Sequence, residues 1–351
     1  MQQPTKLHKI SVTLIVAVAL ITVIAPTALF ARGSQEEDSL KEVVIGFQAI
    51  PNGELVAKAL ERHEETLGVP VRWVQFNSGS ELNTAVASGS VHLGLGGSST
   101  TVAAIAQGVP ADVIWIYDII GDNEALVVRD GAEIESMEDL RGKRVAAPSG
   151  ATTHYHLLVA LELFGIDPNT VEIVDLAPAD MRAAWQRGDI DAGFVWEPTL
   201  AALLDLGGDV LISSRQIAEE GFLTGDIGIV HQGFAERHPE IVTEYIRNQM
   251  WAIDLIRSDP DRAAAAIADE LSLSDEEARR QMDTLVFLSG EEQLGSAYMG
   301  TSDAAGSLAD VFYETAQFLE QQDTIREVPD RQVFRDAIKP RYVEAVLADS
   351  D

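Results

Sequence analysis

From residue 41 onward the hydrophobic positions switch repeatedly between a strand period and a helix period. Val43-Val-Ile-Gly-Phe47 is a short apolar run that reads as a strand, and Pro51-Asn52-Gly53 reads as a turn before a helix ending near Leu67. Val71 to Phe76 interleaves Arg72 and Gln75 with apolar residues, a second strand. Helical patterns at Glu81–Ser88 and Thr100–Gln107 flank a strand at Val91–Leu95, and Val113–Ile120 is a buried strand, apolar except for Asp118. Strands separated by helices of this length predict parallel βαβ units. Such sheets take ligands at the carboxyl ends of strands, beside helix N-termini.

A second block of the same kind follows Glu124-Ala-Leu-Val-Val128. Ser136 to Leu140 reads as a capped helical turn, with Asp139 three residues after Ser136. A strand after Arg144, a helix over 153–164, a strand at Val171–Asp175 and a helix over Pro178–Arg187 come next. Ile190–Val195 and Thr199–Leu206 complete the block as strand and helix. From Pro239 the pattern turns wholly helical, with apolar residues at helical spacing in 241–257, 260–270, 274–285 and 305–321. No Gly/Pro/Ser-rich linker sets this tail apart, so it is expected to pack on the first block.

The N-terminus has a different logic. Lys6, His8 and Lys9 precede an almost wholly apolar run from Ile10 to Ile24, Pro26 breaks it, and Leu29-Phe30-Ala31 offers a small residue before a polar stretch. That order of parts predicts a signal peptide over 1–31. The alternative is an uncleaved membrane anchor, because the run approaches the roughly 20 residues that span a bilayer. No Cys is present, so no disulfide and no lipid-bearing Cys exists.

Composition narrows the partners. Against 56 acidic residues stand 25 basic ones, a formal charge of −31. Such a surface repels nucleic acid and anionic lipid, which excludes both as partners. Lysine is scarce, six against nineteen arginines. The acid excess fits either simple solubility or a high-salt habitat, where ions screen the self-repulsion of the compact state.

Two segments carry candidate chemistry. Gly96-Gly97-Ser98-Ser99-Thr100 follows one strand and opens a helix, and Ser149-Gly-Ala-Thr152-Thr153-His154-Tyr155 does the same in the second block. Amides and hydroxyls at a helix start suit an anion, whose charge the helix dipole also favours. Ordinary N-capping would use the same residue types.

These two motifs, with Ala183-Ala-Trp-Gln-Arg-Gly-Asp-Ile-Asp-Ala-Gly-Phe-Val-Trp196-Glu, resemble the taurine-binding components of ABC importers within the aliphatic sulfonate, nitrate and taurine solute-binding family. The resemblance runs over roughly residues 42–250 and fades in the helical tail. It implies an α/β, type II periplasmic-binding-protein fold: two lobes with a hinge and a helical C-terminal extension on lobe 1. The implied division is 41–127 and 228–351 for lobe 1 and 128–227 for lobe 2, with crossing strands near 125–129 and 228–232. It also implies a monomeric, periplasmic, non-enzymatic protein without cofactor or metal, which hands a small sulfonate to a membrane permease.

By resemblance, Ser98, Ser99, Thr152 and Thr153 go to the sulfonate, with Gly97 in the same turn and His154 and Tyr155 adjoining. A taurine ammonium needs a carboxylate or a π face, which nominates Asp226, Glu124 and Trp196, the last by cation–π contact. Gln48 at the end of the first strand is a further polar candidate. Related binders of other alkanesulfonates, nitrate or pyrimidines share parts of these motifs.

An enzyme is the rival class, since the fold family includes pyrimidine-forming enzymes. No G-x-S-x-G elbow occurs at Gly96–Thr100, the seven histidines show no HExxH spacing, and the Cys-rich motif of those enzymes cannot exist here. If the acid excess is an adaptation to salt, the melting temperature rises from low to molar NaCl. A flat or falling melting temperature across that range removes the high-salt reading.

Overall fold

The computed structural model describes residues 40–349; the expected signal segment at 1–31 lies outside them. Among the described residues ten strands follow one another: β1 (Val43–Phe47), β2 (Val71–Gln75), β3 (Leu93–Gly97), β4 (Ala111–Ile119), β5 (Glu124–Arg129), β6 (Arg144–Ala146), β7 (Glu172–Val174), β8 (Ala192–Trp196), β9 (Gly208–Ser213) and β10 (Gly225–His231). They form two five-stranded sheets, ordered β2-β1-β3-β10-β4 and β7-β6-β8-β5-β9. Each sheet is the floor of one lobe.

Neither sheet is purely parallel. β1 pairs parallel with β2 and β3, and β6 pairs parallel with β7 and β8. β10 runs antiparallel to both β3 and β4, and β5 runs antiparallel to both β8 and β9. Each antiparallel strand is the one that arrives from the other lobe. A chain that has just crossed enters its new sheet from the cleft side and must run against its neighbours.

This corrects the expected lobe boundaries. Residues 125–129 lie inside β5 and 228–232 largely inside β10, each within one sheet. The chain passes between sheets at 120–123 and again at 220–224. The apolar run Ala125–Val128 reads equally well as the end of one block or the start of another, because only hydrogen-bond partners assign a strand to a sheet. The elements β9, Ser214–Glu219, Arg331–Ala337 and Arg341–Ala348 were not anticipated. Their short amphipathic stretches carry too few periods to stand out.

The first sheet is covered on both faces, which explains its nearly continuous apolar strands. Val44, Leu82, Val86, Val102 and Ile229 lie in one cluster; Val43, Ile45, Leu55, Trp115 and Tyr245 lie in another. Helix Gly79–Ala87 sits so close to β3 that a Cβ on Gly94 would come within 2.6 Å of Leu82 Cδ1. In the second lobe Met181, Trp185, Val195 and Leu203 make a smaller cluster. The expected Ser136–Asp139 capping box is formed, and Ser274 Oγ caps a tail helix by accepting from the Glu277 amide at 3.2 Å.

The tail helices Pro239–Ser258 and Pro260–Leu271 cover one face of the first sheet, and helix Leu308–Gln321 covers the other. The last of these does more than sit on lobe 1. Phe318 meets the Tyr155 ring of the second lobe edge-on at 5.1 Å between centroids. Phe312 is fully buried on the same helix. Phe312→Ala is therefore expected to cost about 3–5 kcal/mol, the usual range for deleting a buried aromatic. Urea unfolding monitored by far-UV circular dichroism measures it, and a loss below about 1 kcal/mol would mean the helix is not part of the cooperative core.

Candidate functional site

Two helix N-termini face each other across the seam between the lobes. Helix Ser98–Ala106 follows β3, and helix Thr152–Leu163 opens the second lobe's matching position. Their N-cap residues are Gly97 and Ala151, which have no side-chain oxygen, and neither helix has a side-chain cap. The first amides of both helices are thus left without the side-chain partner that ordinary capping supplies. The hydroxyls around them are turned elsewhere. Ser98 Oγ accepts from the Gly225 amide at 3.4 Å, Thr100 Oγ1 donates to the Gly97 carbonyl at 2.8 Å, and Thr152 Oγ1 donates to Glu124 Oε1 at 2.6 Å. N-capping does not account for this run of Ser and Thr.

The lobes are in contact here. Ser99 Oγ donates to the Gly150 carbonyl at 3.0 Å, and a Cβ on Gly97 would lie 2.8 Å from Thr152 Cγ2. Only glycine at position 97 allows so close an approach. Between the helix starts and the strand ends lies a small cavity of about 20 Å³, walled by Gln48, Ile50, Gly79, Gly97, Thr100, Glu124, Ala151, Thr152, Trp196 and Asp226. A wider space of about 440 Å³ adjoins it, with Gln48, Trp196 and Arg182 on its walls.

Beside the helix starts the strand register gathers carboxyls. Asp226 of β10 stands directly between Gly97 of β3 and Asp118 of β4. Glu124, the first residue of β5, pairs with Trp196 at the end of β8. Glu124 receives hydroxyl hydrogen bonds from Thr152 and, at 3.2 Å, from Ser214. No ion pair reaches any of these three acids among the described residues; nearby Arg215 and Arg280 pair with Asp122 and with Glu277 and Glu197. Burial pushes Glu124 up to about 8, against the pull of the Thr152 hydroxyl. Burial likewise raises Asp226 to about 7. Asp118 is held well above the usual carboxylate range by burial first and by the Asp226 charge second.

Of the residues singled out from sequence, Gln48, Gly97, Glu124, Thr152, Trp196 and Asp226 meet on one cavity wall. Ser99 bridges the lobes just beside it. Others point away. Ser98 borders a separate apolar space near Ile116 and Phe312, and Thr153 is fully buried with its hydroxyl lacking a partner. His154 Nδ1 accepts from the Gly150 amide at 3.1 Å, and burial lowers its pKa. Tyr155, raised to about 12 by burial, packs against the tail helix instead of the cavity. A helix places successive residues about 100° apart, so four consecutive residues cannot all face one ligand. Asp118 and Asn52 were missed. Asp118 carried a signal, as the one acid in an apolar strand.

Comparison with known proteins gives a consistent picture. Residues 41–258 match the family described as the substrate binding domain of ABC-type glycine betaine transport systems. The chain is 35% identical to the taurine-binding periplasmic protein of Escherichia coli K12, over 92% of this chain and 98% of that protein. It is 27% identical to a putative aliphatic sulfonates-binding protein of the same organism, over 68% of this chain and 74% of that one. The alkanesulfonate-binding protein of Xanthomonas axonopodis pv. citri, solved with MOPS bound, superposes with a TM-score of 0.70. It is 22% identical and covers 86% of this chain and 98% of its own.

The acids give a pH prediction for the ligand-free protein. Glu124 is raised, so the folded chain binds more protons than the unfolded chain. Its stabilising contribution is complete below the ordinary glutamate range and is lost as pH rises through about 8. Glu124→Gln cannot ionise, so its melting temperature should gain on the wild type between pH 5 and pH 9. A constant difference across that range would show that Glu124 ionises freely.

Proposed function

The chain belongs to the substrate-binding family of ABC-type transport systems, and on that footing we propose that it captures taurine between its lobes and delivers it to a membrane permease. Family membership makes it a binding component and not an enzyme. The carrying observation is the lining of the cavity, which brings two uncapped helix starts and two buried carboxyls together. Taurine carries a group for each, a sulfonate for the helix amides and an ammonium for the carboxyls.

The sulfonate end goes to the helix starts. It is a permanent anion with three acceptor oxygens, and the amides at Ser98, Ser99, Thr152 and Thr153 are donors aided by both helix dipoles. The Gly97 turn lets backbone approach closely, and Gln48 supplies a further amide at the wall. The ammonium end goes to Asp226 and Glu124, with Trp196 beside them offering a π face. Carboxylates are hydrogen-bond acceptors, so they favour an ammonium that still has N–H groups over a quaternary one. An alkanesulfonate without an amine would leave the same acids buried and unpaired, which is costly.

The permease is assigned on family grounds, as is a periplasmic location after cleavage of residues 1–31. No helix among the described residues is long and apolar enough to cross a membrane. Loading would close the hinge at 120–123 and 220–224, and the closed state would be what the permease recognises.

Titration calorimetry with taurine, ethanesulfonate, glycine betaine and nitrate tests the assignment. Taurine should bind at one site and be recovered unchanged. Asp226→Asn should weaken taurine roughly tenfold to a hundredfold, from the about 1.5–3 kcal/mol of a hydrogen bond to a charged group, and leave ethanesulfonate nearly unaffected. No heat with taurine but clear binding of nitrate would sink the proposal.

A further inference from the structure

Asp118 has no role in the site as described so far, yet its surroundings are unusual. It is fully buried, and β4 and β10 hold it directly across from Asp226. Asn52 donates to Asp118 Oδ2 at 3.0 Å, while Asp118 Oδ1 has no donor. Asn52 is itself fixed, because its Oδ1 caps the helix Gly53–Ala59 by accepting from the Glu54 amide. One Asp118 oxygen is thereby spent and the other is left beside the Asp226 carboxyl.

The other charged and titratable groups around the pair offer it no cation. Glu124 faces it from β5 and adds a like charge. Glu54 follows Asn52 and is engaged by Tyr117 of β4, Tyr245 of the helix Pro239–Ser258 and Gln249. His63 sits behind Glu54 at 3.6 Å. Lys58 and Arg215 are paired with Glu270 and Asp122. Two like carboxyls buried side by side without a counter-ion resist ionising together, and a shared proton resolves the conflict.

We infer that Asp118 and Asp226 work as one carboxyl pair that shares a proton in the free protein, and that the ligand's ammonium displaces this proton. Asp118 is then a specificity-determining residue: it makes the site demand a cation in exchange for a proton. An aliphatic ammonium keeps its own charge well above neutral pH, so it can substitute for the proton as the local counter-charge. The displaced proton goes to the solvent and the ammonium replaces it, so the charge at the carboxyl pair is conserved, while the sulfonate's charge is met by the helix amides. The burial that raises both acids supports this picture. An anion without an amine has nothing to exchange and leaves the proton in place.

This inference rests on the taurine reading, and calorimetry of the mature chain separates the two. Taurine is titrated near pH 7 in phosphate and in imidazole, whose different protonation enthalpies reveal any proton released. The expected result is release of about one proton per taurine, with affinity rising up to about tenfold per pH unit below neutrality. Ethanesulfonate should release none, and its affinity should not rise with pH. Asp118→Asn should still bind taurine but with release largely abolished and a flattened pH profile. Taurine binding with equal heats in both buffers overturns the inference and leaves the taurine reading standing. Absence of taurine binding overturns both. Should Asp118→Asn fail to fold, the wild-type comparison of taurine with ethanesulfonate still decides.

Discussion

Three carboxyls buried together without a cation are the constraint around which this molecule is arranged. Asp118, Glu124 and Asp226 come from three strands of two sheets, and no ion pair among the described residues reaches them. An isolated buried charge costs several kcal/mol, so each must be neutral, hydrogen-bonded or matched by something from outside. Glu124 has Thr152 and Ser214; the aspartates have each other and Asn52. A protein tolerates such a cluster where a ligand can relieve it.

The fold explains how these acids meet. Both crossings between lobes lie within a few residues of them: 120–123 joins Asp118 to Glu124, and 220–224 leads into Asp226. A hinge motion therefore changes the separation of Glu124 from the two aspartates more directly than that of any pair within one sheet. A second connection runs behind the cleft. Ser214 Oγ, 3.2 Å from Glu124 Oε2, is also 2.7 Å from His156 Nδ1, and His156 Nε2 is 2.9 Å from the carbonyl of Phe222 in the crossing segment. Burial lowers His156 to about 4, so it serves this link as a neutral ring with one donor and one acceptor. Through it the hinge backbone and the cleft acid are held in one hydrogen-bonded chain.

Much of this could be read from the chain itself. The helix starts at Ser98 and Thr152 were legible because a strand ending in small residues and hydroxyls just before a helix has few structural uses. Asp226 was legible as an acid interrupting apolar strand residues. What escaped was pairwise. The assignment of β5 and β10 to sheets depends on partners far away in sequence, and so does the meeting of Asp118 with Asp226. Tyr155 shows the opposite limit: its place in a motif put it beside the sulfonate residues, and helix rotation turns its ring towards Phe318. Motifs name a segment, and geometry chooses among its residues.

The acidic surface makes the choice of ligand more intelligible. A chain of formal charge −31 repels simple anions at long range, so a sulfonate alone would enter the cleft against the field. A zwitterion carries no net charge and meets little of that resistance. At physiological ionic strength the field fades over about 8 Å, and within that distance the two ends of the ligand can be sorted. Helix amides then act on the sulfonate at contact range, where local dipoles outweigh a screened distant charge. The acids act on the ammonium in the same way. On the proposed reading, the global charge favours neutrality of the whole ligand, and the cavity favours how its charges are arranged.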